Sequence, residues 1–185
     1  MRSVMWLLAA ALVIAGSCEM ADRCEAKKKK GGKKMTITSS AFTNGGMIPK
    51  KYTADGPDVS PPLAFAGIPA GAKKIALICD DPDAPRGTWV HWVIYNLPAD
   101  TRQLPEHVPT QPTLANGARQ GVNDSGSIGY RGPAPPSGTH RYFFKAYALD
   151  TELDLQPGTT KAQLVKAMQG HILAQGELVG KYSRK

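Results

Sequence analysis

The 185-residue sequence has only three cysteines, and their spacing matches no zinc-binding pattern. Cys79 ends the apolar run KKIALIC, so we predict that it is a small buried hydrophobic residue. Cys18 and Cys24 lie near the N-terminus, where a disulfide between them is conceivable in an oxidising compartment if Cys18 carries no lipid. Neither a zinc site nor a disulfide-stapled fold is therefore expected.

Signatures of catalysis are also missing. No GxSxG motif surrounds Ser125, Ser127 or Ser137, which disfavours a serine hydrolase. The acidic stretch DDPDAPRGTWVHW fails as a calcium loop, because prolines stiffen it and a tryptophan stands where the twelfth-position glutamate belongs. No HxxxH, HxH or CxxC spacing supports another metal site. We therefore expect no enzyme activity, cofactor or metal, and keep a phosphoester hydrolase with an Asp–His pair as the weaker alternative.

Basic residues are concentrated at the N-terminal end. The whole chain has 23 Lys or Arg and 15 Asp or Glu, whereas residues 35–185 have 15 against 12. This part also lacks a Gly-rich phosphate loop, an RNA-stacking motif and a recognition-helix signature. We therefore predict no nucleic-acid partner.

Residues 1–17 have the pattern of a signal peptide. Arg2 precedes the apolar run MWLLAAALVIA, which is too short to span a hydrocarbon layer of about 30 Å. Ala15 and Ser17 suit cleavage before Cys18, and the stretch IAGSC resembles a lipobox, whose cysteine receives a lipid. We predict an exported protein of the bacterial envelope or periplasm, anchored to the membrane through Cys18. Soluble export and an uncleaved anchor are the alternatives.

Residues 18–34 form a second compositional block. The stretch EMADRCEAKKKKGGKK has six lysines and no aliphatic periodicity, which predicts a flexible tether. A run of like charge can also bind anionic lipid, but a solvated spacer is the simpler interpretation.

Residues 35–185 are predicted to form one mainly β domain. They contain all 15 prolines and 16 of the 19 glycines, without the fixed period of a repeat protein. Alternating, β-branched or aromatic runs predict strands over residues 35–38, 74–79, 89–97 and 140–149. One helix is predicted in TKAQLVKAMQ, capped by Thr160 and ended by Gly170, with Leu164, Val165 and Met168 on one face.

Two histidines stand near the beginnings of predicted strands, each after a proline-rich loop. In THRYFFKAY, alternation places His140 and Tyr142 on one face. If the strands that carry His91 and His140 are neighbours, these side chains and Asp81 would line one pocket. His107 and His171 lack this context and are predicted to be ordinary polar residues.

The strand WVHWVIYN is predicted to alternate throughout. This places Trp89, His91, Val93 and Tyr95 on one face, and it turns Val90, Trp92 and Ile94 to the other.

The block DDPDAP followed by a Trp and His91, together with GYRGPAPPSGTHRYFFKAYALD, resembles the phosphatidylethanolamine-binding protein family, in its bacterial Raf-kinase-inhibitor-like branch. The resemblance covers residues 35–185 and includes SPPLAF, NLP and the closing GxLxGxY pattern. It implies a large central antiparallel sheet packed with a smaller sheet, a few peripheral helices, and a cavity that binds phosphate, acetate or phospholipid headgroups such as phosphorylethanolamine.

The family's ligand-binding positions can be carried over to this chain. The resemblance assigns them to Asp81, Pro85, Trp89, His91, Pro135, His140 and Tyr142. Eukaryotic members often have a second histidine where this chain has Val90, which alternation turns away from the pocket. The expected function is that of an exported headgroup-binding protein, for which a regulatory role is also considered. Inhibition of a protease or kinase through protein contacts is the alternative.

The chemistry of such a pocket leads to two further expectations. A bound anion favours protonated imidazole, so binding should strengthen as the pH falls toward about 6. Asp81 would repel a bare phosphate, so we expect it to orient a histidine or to accept from an ammonium group, which favours a zwitterion. Asp83 is predicted to be a turn residue that bonds its own backbone.

Overall fold

The computed structural model describes residues 33–184, which form two β-sheets and one α-helix. The larger sheet contains, in spatial order, β1 (Lys33–Lys34), β9 (Ile172–Ser183), β8 (Thr139–Leu149), β4 (Lys74–Asp81), β5 (Trp89–Pro98) and β7 (Arg119–Gln120). The smaller sheet contains β2 (Thr36–Thr38), β3 (Leu63–Ala66) and β6 (Gln103–Leu104). Neighbouring strands are antiparallel except for β1 and β9. The predicted mainly β fold with a large and a small sheet is confirmed.

The two sheets pack face to face over the main hydrophobic core. Ile37 and Phe65 of the smaller sheet are buried with Leu77 and Phe144 of the larger one. Strand β8 supplies this core through an alternation of buried and more exposed side chains that runs without interruption from Thr139 to Ala148. The predicted faces of this strand are therefore correct.

Helix α1 (Lys161–Ala167) covers part of the other face of the larger sheet. Thr160 caps it as predicted: its hydroxyl accepts from the Gln163 backbone N–H, and the Gln163 side chain accepts from the Thr160 N–H. Leu164 and Met168 are buried, whereas Val165 is 40 % exposed, so the predicted three-residue apolar face is wrong. Val165 is one residue past Leu164, which turns it about 100° around the helix axis. Within residues 33–184 no helix is long and apolar enough to cross a membrane.

The structure contains strands that the sequence did not predict, namely β1, β3, β6, β7 and β9. Lys33 and Lys34, assigned to the tether by composition, pair in parallel with Ala174 and Gln175 of β9. Strand β9 itself was not predicted, because Gly176 and Gly180 interrupt its apolar pattern. In the structure both glycines lie where a side chain would collide with the underlying core: a Cβ on Gly176 would meet the Met35 carbonyl oxygen at 2.4 Å.

A buried carboxylate joins α1 to the sheet. Asp80 is fully buried at the end of β4, and its two oxygens accept from Lys145 of β8, at 2.7 Å, and from Lys161 of α1. The two lysine side chains are about 30 % exposed, so water can still hydrate their ammonium groups.

We expect the two sides of this cluster to respond unequally to mutation. Replacing both Lys145 and Lys161 by methionine should cost about 3 kcal/mol, because it leaves the Asp80 charge buried without a partner. Asp80→Ala should cost less, since the lysines can turn to solvent. Urea unfolding of the three proteins measures the difference, and a larger loss in Asp80→Ala would contradict the prediction.

Candidate ligand pocket

Strand order places Asp81 between the two histidines. The sequence argument required the strands that carry His91 and His140 to be neighbours. They are not: they lie on either side of β4. Asp81 is the last residue of β4 and pairs with Trp89 of β5. The central strand thus brings its carboxylate to the end of the sheet where both histidine-bearing strands begin.

A β-bulge sets the direction of His91. Cys79 pairs with Trp92 and Asp80 pairs with Val90, so His91 has no partner on β4. The predicted strict alternation is therefore wrong beyond this point: Trp92 packs in the main core, whereas Val93 joins Val90 on the opposite face. The imidazole of His91 meets the ring of Tyr142 edge-on, with 5.1 Å between the ring centroids.

Asp81 orients a histidine as predicted, and it also bonds the turn backbone, which is the role that the sequence predicted for Asp83. Asp81 is buried; one carboxylate oxygen accepts from Nδ1 of His140 at 2.7 Å, and the other accepts from the Asp83 backbone N–H at 2.8 Å. Asp83 instead holds Arg141 through two side-chain hydrogen bonds and one backbone hydrogen bond. These bonds lower the pKa of Asp83 to about 2. The residue that shapes the turn is thus the one in the pocket, because its buried carboxylate is within reach of the turn's own backbone.

His91 is oriented by a backbone group rather than by a carboxylate. Its Nδ1 donates to the Arg131 carbonyl oxygen at 2.6 Å. Burial lowers the pKa of His91 below its usual 6.5, and the Arg131 carbonyl and the nearby Asp81 charge oppose this only in part. His91 is therefore neutral at neutral pH, with its proton on Nδ1.

Both histidines leave Nε2 for the cavity. Neither Nε2 atom bonds to another described residue, and neither is fully buried. Within residues 33–184, the hydroxyl oxygen of Tyr142 is the single side-chain atom that is fully buried and has no hydrogen-bond partner. A buried hydroxyl without a partner is costly, so this position favours a hydrogen-bonding ligand nearby.

The loop that holds His91 is itself fixed by Asp58. This residue has a positive φ of 57°, and its carboxylate accepts from the Gly132 N–H at 2.6 Å and from the Arg131 guanidinium at 2.7 Å. The Tyr130 hydroxyl bonds the Tyr52 carbonyl oxygen at 2.8 Å. These contacts position the Arg131 carbonyl, and through it the His91 ring.

These elements enclose a cavity of about 550 Å³. All seven residues that the sequence assigned to the pocket line it: Asp81, Pro85, Trp89, His91, Pro135, His140 and Tyr142. The lining also includes residues that sequence reasoning missed: Ala84, Arg86, Ser125, Arg131, Gly132, Ala134 and Pro136.

The sequence model of the phosphatidylethanolamine-binding protein family matches residues 38–183, which include both proline-rich loops and all of the cavity lining. The chain belongs to this family. It is thus a member of a family of binding proteins.

Similar proteins of this family come from distant organisms. A UPF0098 protein of the archaeon Methanothermobacter thermautotrophicus is 55% identical over 150 residues, which cover 81% of this chain and 99% of the relative. A crystal structure described as a phosphatidylethanolamine-binding protein homologue of Chlamydia trachomatis has 45% identity and a TM-score of 0.76, covering 83% of this chain and 99% of that one. YbcL of Escherichia coli, described as a new member of the mammalian family, has 31% identity and a TM-score of 0.76, with 82% and 99% covered.

Two of the missed lining residues stand beside the family motifs. Arg86 directly follows DPDAP, and Arg131 lies within GYRGPAPP, so proximity to the motifs was the available signal. Ser125 had no such signal. It reaches the cavity because the neighbouring Asp124 carboxylate accepts from the Val90 N–H at 2.7 Å, a contact between residues far apart in the sequence.

The depressed pKa of His91 predicts how stability depends on pH. The unfolded chain takes up a proton near pH 6.5, before the folded protein does, so acid favours unfolding. Without ligand, the free energy of unfolding should therefore fall as the pH drops from about 6.5 toward the lower pKa of the folded state. Urea unfolding at a series of pH values measures this.

His91→Gln should reduce this pH dependence, whereas His171→Gln should not. His171 is a matched control because it is exposed and paired with Asp150 outside the pocket. An unchanged pH dependence in His91→Gln would contradict the prediction.

Proposed function

We propose that the protein reversibly binds small ligands that carry a phosphate group, of the kind found in phospholipid headgroups, including phosphate and phosphorylethanolamine. The observation that carries this proposal is that two imidazole rings, each with Nδ1 already hydrogen-bonded and Nε2 without a partner among the described residues, line one cavity together with Tyr142. Once the rings are protonated, both Nε2 atoms are donors, and phosphate oxygens accept from such groups.

Protonation couples to binding in this site. Because Nδ1 of each ring already donates a hydrogen bond, Nε2 is an acceptor in the neutral ring and becomes a donor when the ring takes up a proton. A phosphate anion stabilises the protonated ring, so binding takes up protons. Affinity should therefore rise as the pH falls from about 7 toward about 6, because burial lowers the pKa of His91 in the free protein. The rise should end at about pH 6, where the phosphate ester takes up its own second proton.

The geometry of the cavity supports binding of the phosphate group without a chemical reaction. The serine in the cavity wall, Ser125, donates its hydroxyl hydrogen to Asn123 at 2.6 Å rather than to a histidine. A nucleophilic serine needs a neighbouring base to remove that proton. Asp81 and His140 form a pair, but among residues 33–184 no activated nucleophile lines the cavity beside it.

We also propose that the protein works outside the cytoplasm, in the cell envelope. Support comes from Arg2, the apolar run after it and Cys18 in the stretch IAGSC, all of which lie outside the described residues. Mass spectrometry of the mature N-terminus tests this: a diacylglycerol-modified Cys18 is expected, and an intact Met1 or an unmodified Cys18 would overturn the lipid anchor.

Titration calorimetry with phosphate and phosphorylethanolamine tests the binding proposal. Saturable binding should weaken at least tenfold in His91→Ala and in His140→Ala, since each removes a charge-assisted hydrogen bond. His171→Ala serves as the control and should bind like the unchanged protein. Absence of binding, or equal binding by all four proteins, would overturn the proposal.

A further inference from the structure

The only carboxylate that lines the cavity among the described residues is already engaged. Asp81 is 3 % exposed, and its oxygens accept from the His140 imidazole and from the Asp83 N–H. Because so little of Asp81 is exposed, an ammonium group on a ligand can reach little of the carboxylate that these two hydrogen bonds leave. The zwitterion preference that the sequence suggested therefore depends on an acceptor that is almost completely buried.

The cavity lining also contains two arginines, of which one is free to pair with a ligand. Arg86 and Arg131 both contribute to its lining. Arg131 is paired with Asp58, but Arg86 is exposed and makes no hydrogen bond or ion pair with another described residue. Because Asp58 offsets the charge of Arg131, Arg86 is the cation of the described lining that is free to pair with a ligand.

We propose that the pocket selects phosphate monoesters without an ammonium group over zwitterionic phosphate esters, and that Arg86 is the residue that sets this preference. The inference rests on the proposed function, since it names the ligand class of the same site. A monoester carries about −1.5 to −2 charge near pH 7, and a guanidinium binds phosphate oxygens in a planar, two-pronged geometry. Because an ammonium group cancels part of the ligand charge and can reach only a buried carboxylate, Arg86 favours the ester that lacks the ammonium group.

Two isosteric ligands isolate this effect. Phosphorylethanolamine and n-propyl phosphate have the same number of heavy atoms and differ by an ammonium group in place of a methyl group. In titration calorimetry at neutral pH, we expect n-propyl phosphate to bind about threefold to tenfold more tightly, the range for one partly exposed charge interaction. Phosphorylethanolamine binding more tightly than n-propyl phosphate would overturn this inference and leave the proposed function standing. Failure of both ligands to bind would overturn the proposed function as well.

Substitution of Arg86 tests whether this residue causes the preference for esters without an ammonium group. Arg86→Gln should remove most of it, whereas Arg86→Lys should keep part because it keeps the charge. Arg102→Gln is the matched control: it removes the same charge from an exposed arginine outside the pocket and should leave the preference unchanged. A preference that persists in Arg86→Gln, or that falls equally in Arg102→Gln, would overturn the role of Arg86.

A monoester can be a soluble metabolite or the headgroup of phosphatidic acid, and the two sources are separable. Co-sedimentation with phosphatidylcholine vesicles containing phosphatidic acid, compared with vesicles containing phosphatidylethanolamine, provides the second arm. Binding of n-propyl phosphate with phosphatidic acid vesicles supports a lipid ligand, and binding of n-propyl phosphate alone supports a soluble one. Stronger sedimentation with phosphatidylethanolamine than with phosphatidic acid would contradict the charge preference.

Discussion

Asp81→Ala is expected to abolish phosphate binding and to lower the free energy of unfolding by about 3 kcal/mol. The substitution removes the acceptor of two hydrogen bonds in a buried position, from His140 Nδ1 and from the Asp83 N–H. Without its acceptor, the His140 ring is free to rotate, and Nε2 no longer has a fixed direction into the cavity. Urea unfolding and titration calorimetry on the same preparations measure the two losses.

Asp83→Ala is the matched control for this substitution. Asp83 lies two residues further along the same loop, but its carboxylate pairs with Arg141, whose side chain is 52 % exposed. Its loss should change stability much less and leave phosphate binding in place. Equal effects of the two substitutions would show that the acidic loop acts as a unit, contrary to the separate roles described above.

Gly132→Ala is expected to destabilise the fold by about 3 kcal/mol and to abolish phosphate binding. A Cβ on Gly132 would lie 2.6 Å from an Asp58 carboxylate oxygen and 2.7 Å from both the Thr53 Cα and the Tyr52 carbonyl oxygen. Since two of these atoms belong to the backbone, the loop has to move. That movement displaces the Arg131 carbonyl, which orients His91.

Gly71→Ala controls for the added methyl group. The nearest atom to its new Cβ is a Leu173 methyl carbon at 3.7 Å, and Gly71 does not require a positive φ. This variant should bind phosphate normally and be as stable as the unchanged protein, or slightly more so. Normal binding by Gly132→Ala would show that the Asp58–Arg131 segment does not position His91.

The alternation of residues along the sequence predicted the faces of a strand correctly where the backbone is regular. The faces of β8 followed from simple alternation, which placed His140 and Tyr142 together on the buried side. The same reasoning failed on β5 because a bulge at His91 and a positive φ of 58° at Asn96 each change the phase of the strand. Nothing in WVHWVIYN signals the bulge, since it depends on pairing with β4.

The features of the site that the sequence did not predict depend on contacts between segments that are distant in the sequence. The position of β4 between β5 and β8 is a matter of topology, which no short motif encodes. The pairing of Asp81 with His140 and of Asp83 with Arg141 depends on where the start of β8 comes to lie beside the acidic loop. The family motifs located all seven predicted residues, whereas Arg86 and Arg131 were recognised only once the loops were folded around the cavity.

The central claim is that His91 and His140 present Nε2 to a phosphate group, and NMR of the imidazole nitrogens tests it most directly. The chain has four histidines, so His107 and His171, which do not line the pocket, serve as internal controls. On titration with phosphate, the Nε2 signals of His91 and His140 should shift toward the protonated form while their Nδ1 protons are retained. Unchanged Nε2 signals at both residues, or equal shifts at His107 and His171, would contradict the claim.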